Sequence, residues 1–271
     1  AARKTMSAQP VASSLRILLA EDNIINRKLA LAALAQMGCG ADVAVDGREA
    51  LKAAMEIRHD IILMDVQMPD MDGLEATRRI RKWEKESGTP PVRIIALTAN
   101  ALAGDRDICL KAGMNDYLSK PIRLESLRTA LRQNPQTQPE PPETSESQPS
   151  PVIIALHQLA NDLSPDDAVS LASDFLADLD GQLEAVREAI TLHNASEARR
   201  HAHSLKGTSS IFSLHRLHKA AEVVEEACRD GRLEDAAKAL QNLRKEAQEA
   251  TLDLRRSIIS VGSTTVLKPI S

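Results

Sequence analysis

The sequence predicts two domains, an α/β domain with a doubly wound, five-stranded parallel sheet and, after it, an all-α four-helix bundle. Three observations lead to this prediction. Residues 15–134 alternate short β-branched runs with amphipathic stretches, which is typical of βα units around a parallel sheet. Residues 135–151 are rich in proline and lack large apolar side chains, so they are expected to form a linker. Beyond this segment the periodicity is helical throughout.

The first domain is expected over 14–134, behind a flexible tail of residues 1–13. Its predicted strands cover 15–20, 41–45, 60–65, 92–98 and 116–119. Its predicted helices cover roughly 23–37, 47–58, 73–87, 103–113 and 123–133. Gly38, Gly88 and Gly113 stand where helices should end.

The bundle is expected over 152–260, followed by a tail of residues 261–271. Its apolar periodicity predicts helices over 165–179, 183–192, 195–212, 214–229 and 233–257.

The charge and cysteine content restrict the class of protein. The 271 residues carry a net charge of −4, and the part from 151 onward holds 14 Lys and Arg against 18 Asp and Glu. This balance disfavours nucleic acid as a partner and a transcription factor with a helical output. Three widely spaced cysteines indicate a reducing compartment. No apolar run approaches the roughly 18 residues that cross a bilayer. We therefore expect a soluble, cytoplasmic chain without direct membrane contact, although a longer parent protein could be anchored in a membrane.

Acidic side chains follow two strands that should be neighbours. Glu21 and Asp22 come directly after the first strand, and Asp65 ends the third. In a sheet of order 2-1-3-4-5, strands 1 and 3 adjoin at the point where ligands bind. Carboxylates placed this closely need a cation, and an all-oxygen set with few protein ligands suits hydrated Mg²⁺.

Thr98 and Lys120 come at the ends of the fourth and fifth strands, facing the same edge. A hydroxyl and a fixed cation opposite an aspartate are what phosphoryl transfer onto that aspartate requires, because negative charge spreads over the phosphoryl oxygens. Taken singly, Glu21, Asp22 and Asp72 are also compatible with helix N-caps or first-turn acids. The complete set favours a phosphoryl-accepting pocket.

The run from His203 to Gly207 supplies a second group that can carry phosphate reversibly. His203 is predicted to lie on the exposed side of its helix with Arg199, Gly207 and Ser210, and with Lys206 nearby, whereas His201 lies at the edge of the core-facing stripe. That stripe is expected to contain Ala198, Ala202, Leu205, Ser209 and Phe212. The remaining histidines are expected to be surface, cap or loop residues: His59, His157, His193, His215 and His218.

Residues 14–134 resemble the receiver domain of two-component response regulators. The resemblance rests on Glu21-Asp22, the acidic loop from Asp65 to Gly73, Thr98-Ala99 and Lys120-Pro121. It implies a flavodoxin-like fold in which Asp65 is the phosphoacceptor. It also implies that Lys120 and Thr98 bind the phosphoryl oxygens.

The same resemblance implies a metal site and a switch. Mg²⁺ would be held by Asp22, Asp65 and the backbone carbonyl of Gln67, with Glu21 acting through water. Thr98 would move toward the phosphate while Tyr117 swings inward. The less favoured alternative for Tyr117 is a half-buried strand residue whose hydroxyl contacts water. A cis Lys120-Pro121 bond is a further implication.

The stretch 202–209 resembles the histidine phosphotransfer (HPt) domain, a four-helix bundle with one long acceptor helix. The resemblance implies that His203 is a phosphoacceptor with Lys206 beside it. Ile211 and Ser213 stand where Asn and Gly are common in that family. These departures concern helix packing more than His203.

A receiver followed by an HPt domain resembles the C-terminal part of hybrid sensor histidine kinases. The sequence has no ATP-binding kinase motif, so phosphate is expected to come from a kinase phosphohistidine, on the same chain or another. It would pass to Asp65, exchange with His203 and leave for a downstream response regulator. The linker can span up to about 55 Å, so the two sites can meet within one chain. The alternative is a phosphorylation-gated interaction module, in which the bundle is a docking or dimerisation surface.

Overall fold

The computed structural model describes residues 15–98, 103–132 and 150–265. Within these ranges the first domain contains five strands, β1 to β5, and five helices, α1 to α5. The strands are Ile17–Ala20, Ala41–Ala44, Ile61–Asp65, Arg93–Thr98 and Asp116–Ser119. The helices are Ile24–Gln36, Gly47–Glu56, Gly73–Ser87, Ala103–Ala112 and Leu124–Leu131. The predicted α/β class is confirmed.

The sheet has the order β2-β1-β3-β4-β5, and all its described pairs are parallel. Strands β1 and β3 are buried along their whole length, because helices cover both faces of a parallel sheet. Alternate side chains enter two separate cores. Leu19 and Leu63 join the α1 and α5 side, and Leu18 and Ile62 join the α2 and α3 side.

The second domain contains five described helices, named α6 to α10. They span Pro151–Asp162, Pro165–Thr191, Ala195–Ile211, His215–Arg229 and Leu233–Thr265. Helices α7 to α10 form the expected bundle around one apolar core, and α6 packs against α7 and α10. The exact limits predicted for the two domains stay predictions.

Three expectations for the second half were wrong in detail. Helix α6 begins at Pro151, inside the segment expected to be linker, and buries Val152, Leu156 and Leu159 at helical spacing. Helix α7 is continuous where a break at 180–182 was predicted, because its buried residues keep helical spacing from Leu179 to Leu183. Helix α10 extends to Thr265 and so includes the first five residues of the expected tail. None of the described helices is both long and apolar enough to cross a membrane.

Candidate functional site: an acidic pocket facing a helical histidine

Glu21, Asp22 and Asp65 converge at the carboxyl end of the sheet. The register pairs Ala20 with Met64, so the residues next in sequence, Glu21 and Asp65, are neighbours. One carboxylate oxygen from each residue lies within 4.8 Å of the others. Glu21 and Asp65 are buried, and Asp22 is half-buried.

Lys120 enters this pocket from the end of β5. Its Nζ lies 2.6 Å from Asp65 Oδ2 and 2.6 Å from Glu21 Oε2. Its backbone N–H donates to the carbonyl of Thr98 over 2.7 Å, which ties the ends of β4 and β5 together. The Lys120-Pro121 bond is cis, as the receiver resemblance implies.

The pocket concentrates more negative charge than Lys120 neutralises. Burial raises the pKa of Asp65 well above its usual value and Glu21 raises it further, against the opposing effect of Lys120. Burial and Glu21 likewise raise the pKa of Asp22. Burial alone would lower the pKa of Lys120, but Asp65 and Glu21 raise it above its usual value. Buried carboxylates with these shifts fit a hard divalent cation, whose charge would favour their ionised form.

The loop after Asp65 is shaped by a close approach of backbone. The N–H of Gln67 donates to Asp65 Oδ1 over 3.1 Å. Gly73 lies so near the Asp65 carbonyl oxygen that a Cβ atom there would overlap it. Asp72 is the N-cap of α3, accepting from Glu75 N over 2.7 Å, which confirms the capping interpretation for this residue.

Thr98 and Tyr117, the expected switch residues, lie on adjacent strands. Thr98 is the buried last residue of β4 and pairs with Ser119. Tyr117 is half-buried on β5, with the Arg106 guanidinium carbon 6.0 Å from its ring centroid. Ala99 of the quoted motif lies outside the described residues.

His203 lies on α8 and is held by a glutamate from α9. Its Nδ1 lies 2.9 Å from Glu225 Oε1, and Lys206 Nζ lies 2.5 Å from Glu225 Oε2. Burial alone would raise the pKa of Glu225, but the hydrogen bonds and charges of His203 and Lys206 lower it to about 2. Lys206 therefore neutralises Glu225, where the sequence predicted only a nearby positive charge.

His203 is less accessible than expected. Its side chain is 13% exposed. Glu225 lies against it, and the next residue, Ser204, is bonded to Asn23 of the first domain. The stripe predicted to face the core, from Ala198 to Phe212, is buried as expected. The prediction that His203 points away from the bundle core was therefore right. The prediction that its side chain is exposed was wrong.

Helix α1 of the first domain packs directly on α7 and α8. Asn23 caps α1 through its Oδ1, while its Nδ2 donates to Ser204 Oγ over 2.6 Å. Arg200 Nη1 lies 3.5 Å from Asp22 Oδ2. A Cβ on Gly207, which is buried, would be 3.9 Å from Asn26 Nδ2. The acidic pocket and the turn that carries His203 thus face each other.

Several polar residues have settings that the sequence did not indicate. His59 lies in the loop before β3, as expected, but it is buried there beside Asp42 (3.0 Å). His218 contacts Ser210 Oγ at 2.8 Å, although it was expected to be a surface or cap residue. Arg200, which the sequence did not single out, faces Asp22.

The sequence reasoning missed Glu225, Arg200 and Asn23. Asn23 carried a recognisable N-cap signal between Asp22 and the first helix. Glu225 lies 22 residues after His203, on the next helix. Spacing along the chain does not reveal which side chain of that helix contacts His203. The role of Arg200 depends on how the domains meet, which no local pattern encodes.

Comparison with known proteins identifies both halves. The response regulator receiver domain model matches residues 17–132, and the Hpt domain model matches residues 170–252. The sensor protein GacS of Pseudomonas syringae pv. syringae is 35% identical over 256 residues, covering 90% of this chain and 26% of that protein. The histidine-protein kinase BarA of Escherichia coli K12 is 32% identical over 234 residues, covering 82% of this chain and 25% of that protein.

Among solved structures, the receiver domain of sensor histidine kinase PA1611 from Pseudomonas aeruginosa PAO1, described with a magnesium ion in its active-site cleft, is 47% identical. The match covers 44% of this chain and 94% of that one, with a TM-score of 0.40. The present chain spans about a quarter of the length of GacS and BarA. Residues 17–132 belong to the response regulator receiver family, and residues 170–252 belong to the Hpt family.

Proposed function

We propose that this chain is a two-step phosphorelay unit in which Asp65 and His203 exchange a phosphoryl group. The observation that carries the proposal is the approach of the two sites. The acidic pocket around Asp65 and the turn of α8 that bears His203 meet across the α1 contact, joined by Asn23 to Ser204. The relatives GacS and BarA, named as a sensor protein and a histidine-protein kinase, support the same assignment.

Asp22, Asp65 and the backbone carbonyl of Gln67 are the residues we propose to hold Mg²⁺, with Glu21 acting through water. The fit rests on the all-oxygen donor set and on the excess of negative charge in the pocket. A bound Mg²⁺ would supply positive charge to the phosphoryl oxygens and to the carboxylates.

The first step transfers phosphate from a phosphohistidine of a kinase domain to Asp65. A carboxylate oxygen of Asp65 attacks phosphorus, the phosphorus–nitrogen bond breaks, and its electron pair returns to the donor imidazole. Lys120 Nζ, already 2.6 Å from Asp65 Oδ2, then moves to the phosphoryl oxygens, and the Thr98 hydroxyl donates to another. Movement of Thr98 toward the phosphate leaves room for Tyr117 to turn inward, which is the proposed switch.

The second step transfers the group from Asp65 to His203. Nδ1 of His203 is engaged by Glu225, so we assign the attack on phosphorus to Nε2. The oxygen–phosphorus bond breaks and its electron pair restores the Asp65 carboxylate. The imidazole becomes positively charged as the new bond forms, and the Glu225 carboxylate balances this charge. Lys206 holds Glu225 in place.

His203 would then donate to the receiver domain of a downstream response regulator. We propose that the parent protein is a hybrid sensor histidine kinase that acts in the cytoplasm, with this chain as its C-terminal part. Neither nucleic acid nor membrane is proposed as a direct partner.

The test is to locate the label after incubation with a labelled acyl phosphate and Mg²⁺. The wild-type chain, Asp65→Asn and His203→Gln are compared. We expect label on both residues in the wild type, only on Asp65 in His203→Gln and on neither in Asp65→Asn. Label that stays on Asp65 in the wild type, even after long incubation, would contradict the relay and favour an interaction module.

A further inference from the structure

Arg200 on α8 extends its guanidinium group toward the acidic pocket of the receiver domain. Its Nη1 lies 3.5 Å from Oδ2 of Asp22, and the two side chains are 28% and 16% exposed. Burial and Glu21 raise the pKa of Asp22, and the positive charges of Lys120 and Arg200 act against this rise. The charge of the pocket is therefore offset partly by the receiver's own lysine and partly by the HPt domain.

Arg200 is held in this position by its own domain. Its Nη2 donates to Glu197 Oε2 over 2.7 Å, and its Nε donates to the same oxygen over 3.2 Å. Nη2 also lies 3.0 Å from Nε2 of His201, whose Nδ1 lies 3.0 Å from Gln182 Oε1 on α7. A guanidinium group can only donate, so Nε2 of His201 accepts and Nδ1 donates to Gln182. Burial and the charge of Arg200 lower the pKa of His201, which favours this neutral ring. Two helices thus fix a positive charge beside the pocket.

In the unphosphorylated pocket this charge opposes a bound cation. The three carboxylates of the pocket face one buried lysine, Lys120. With the carboxylates ionised, Lys120 and the proposed Mg²⁺ would balance their charge. A cation bound to Asp22 would also share that carboxylate with Arg200, and like charges repel. Arg200 therefore disfavours Mg²⁺ in the unphosphorylated pocket.

A phosphoryl group on Asp65 reverses the effect of Arg200. The group carries about two negative charges at pH 7, and its bond to Asp65 removes the single negative charge of that carboxylate. With Mg²⁺ present, the pocket then holds one negative charge in excess. Arginine suits the neighbourhood of such a charge, because its guanidinium stays protonated and interacts well with phosphate and carboxylate oxygens. Arg200 therefore favours the phosphorylated pocket.

Building on the proposed relay and its metal site, we propose that Arg200 makes the HPt domain sensitive to the phosphorylation state of the receiver. Arg200 weakens Mg²⁺ binding to the unphosphorylated pocket and, once Mg²⁺ is present, strengthens binding of the phosphoryl group. Coupling between two sites is reciprocal. The HPt domain thus holds the Mg²⁺-loaded receiver more strongly while Asp65 carries phosphate than after the group has left.

The experiment measures two affinities of the full chain, in the wild type and in Arg200→Gln. The first is the Kd of Mg²⁺, measured by calorimetry at pH 7. The second is the Kd of beryllofluoride at saturating Mg²⁺, measured by fluorine NMR. Beryllofluoride binds a carboxylate oxygen and reproduces the shape and charge of a phosphoryl group, so it probes the phosphorylated pocket without any transfer reaction.

Arg200→Gln should change the two affinities in opposite directions. Mg²⁺ should bind about two- to fivefold more tightly, because a positive charge beside Asp22 is lost. Beryllofluoride should bind about two- to fivefold more weakly, because the excess negative charge loses a neighbouring cation. Arg200→Lys keeps the charge but not the planar fork that Glu197 binds. Both of its affinities should lie between those of the wild type and of Arg200→Gln.

Arg187→Gln is the matched control. Arg187 pairs on α7 with Glu184, three residues before it, as Arg200 pairs on α8 with Glu197. Its removal should leave both affinities unchanged. In Arg200→Gln, a change of the same sign in both affinities would indicate damage to the pocket, and it would overturn the proposal, as would two unchanged affinities. An absence of saturable Mg²⁺ binding by the wild type would instead overturn the proposed metal site and this inference with it.

Discussion

Glu225→Gln removes the charge that links His203 to Lys206 while keeping the size of the side chain. Glu225 is 10% exposed and is held at 2.9 Å by His203 and 2.5 Å by Lys206. Its pKa falls from 4.5 to about 2 in the folded chain. At about 1.4 kcal/mol per pKa unit, this lowering corresponds to roughly 3 kcal/mol of folding stability at pH 7.

The lowered pKa of Glu225 determines whether its contribution to folding stability grows or shrinks with pH. A carboxyl whose folded pKa is lowered stabilises the fold above its unfolded pKa, here near 4.5, and loses that contribution as pH falls through its folded pKa. About 2 of the roughly 3 kcal/mol should therefore be lost between pH 7 and pH 3. The Gln variant has no carboxyl at this position and lacks this loss.

The assay is urea unfolding of the wild type and of Glu225→Gln at pH 7, 5, 4 and 3, monitored by the circular dichroism signal of the helices. Taking the difference between the two chains removes the shared contributions of the other carboxyl groups. We expect the advantage of the wild type to shrink by about 2 kcal/mol between pH 7 and pH 3. A difference in unfolding free energy that stays constant over this range would refute the assignment of Glu225 as a buried, ionised partner.

Four other substitutions test the pocket, its loop and the helices of the second domain. Lys120→Met should destabilise the chain by about 3 to 5 kcal/mol, because Glu21 and Asp65 lose their buried partner. In urea unfolding, Mg²⁺ should restore part of the lost stability. No effect of Mg²⁺ would argue against the metal site. Gly73→Ala should lower the stability of the fold by about 1 to 3 kcal/mol, because the added Cβ overlaps the Asp65 carbonyl, and it should weaken Mg²⁺ binding in calorimetry. The matched control, Gly181→Ala, places its Cβ in open space and should stabilise α7 by about 1 kcal/mol. Ser213→Gly should raise stability by about 1 kcal/mol, since Ser213 has φ of +52° in the region that favours glycine; a lower melting temperature would contradict this.

The receiver half was predictable because each of its signals is local. The strands are continuous apolar runs, and their carboxyl ends are marked by Glu21, Asp65, Thr98 and Lys120. Once the strand order is known, parallel pairing brings these residues to one edge. The structure places all four there, with Lys120 in contact with Glu21 and Asp65.

The HPt half was predictable in class but not in detail. The proline-rich composition before Pro151 hid the start of α6, although its buried residues repeat with helical spacing. The break predicted at 180–182 does not occur, because the buried residues of α7 continue at helical spacing on both sides of it. Glu225 and Arg200 act across helices and across domains, and such contacts depend on tertiary packing. At Ser213 the sequence showed a departure from the glycine usual in the family, and its positive φ explains why glycine is favoured there.

The most direct test of the relay compares transfer within one chain with transfer between chains. After a short pulse of labelled acyl phosphate, label is followed from Asp65 to His203 in the wild type and in an equimolar mixture of Asp65→Asn and His203→Gln. The account predicts a wild-type rate that does not change with chain concentration, and a slower rate in the mixture that rises with concentration. A mixture that labels His203 as fast as the wild type at every concentration would contradict the conclusion that the receiver and HPt domains of one chain are arranged to exchange phosphate.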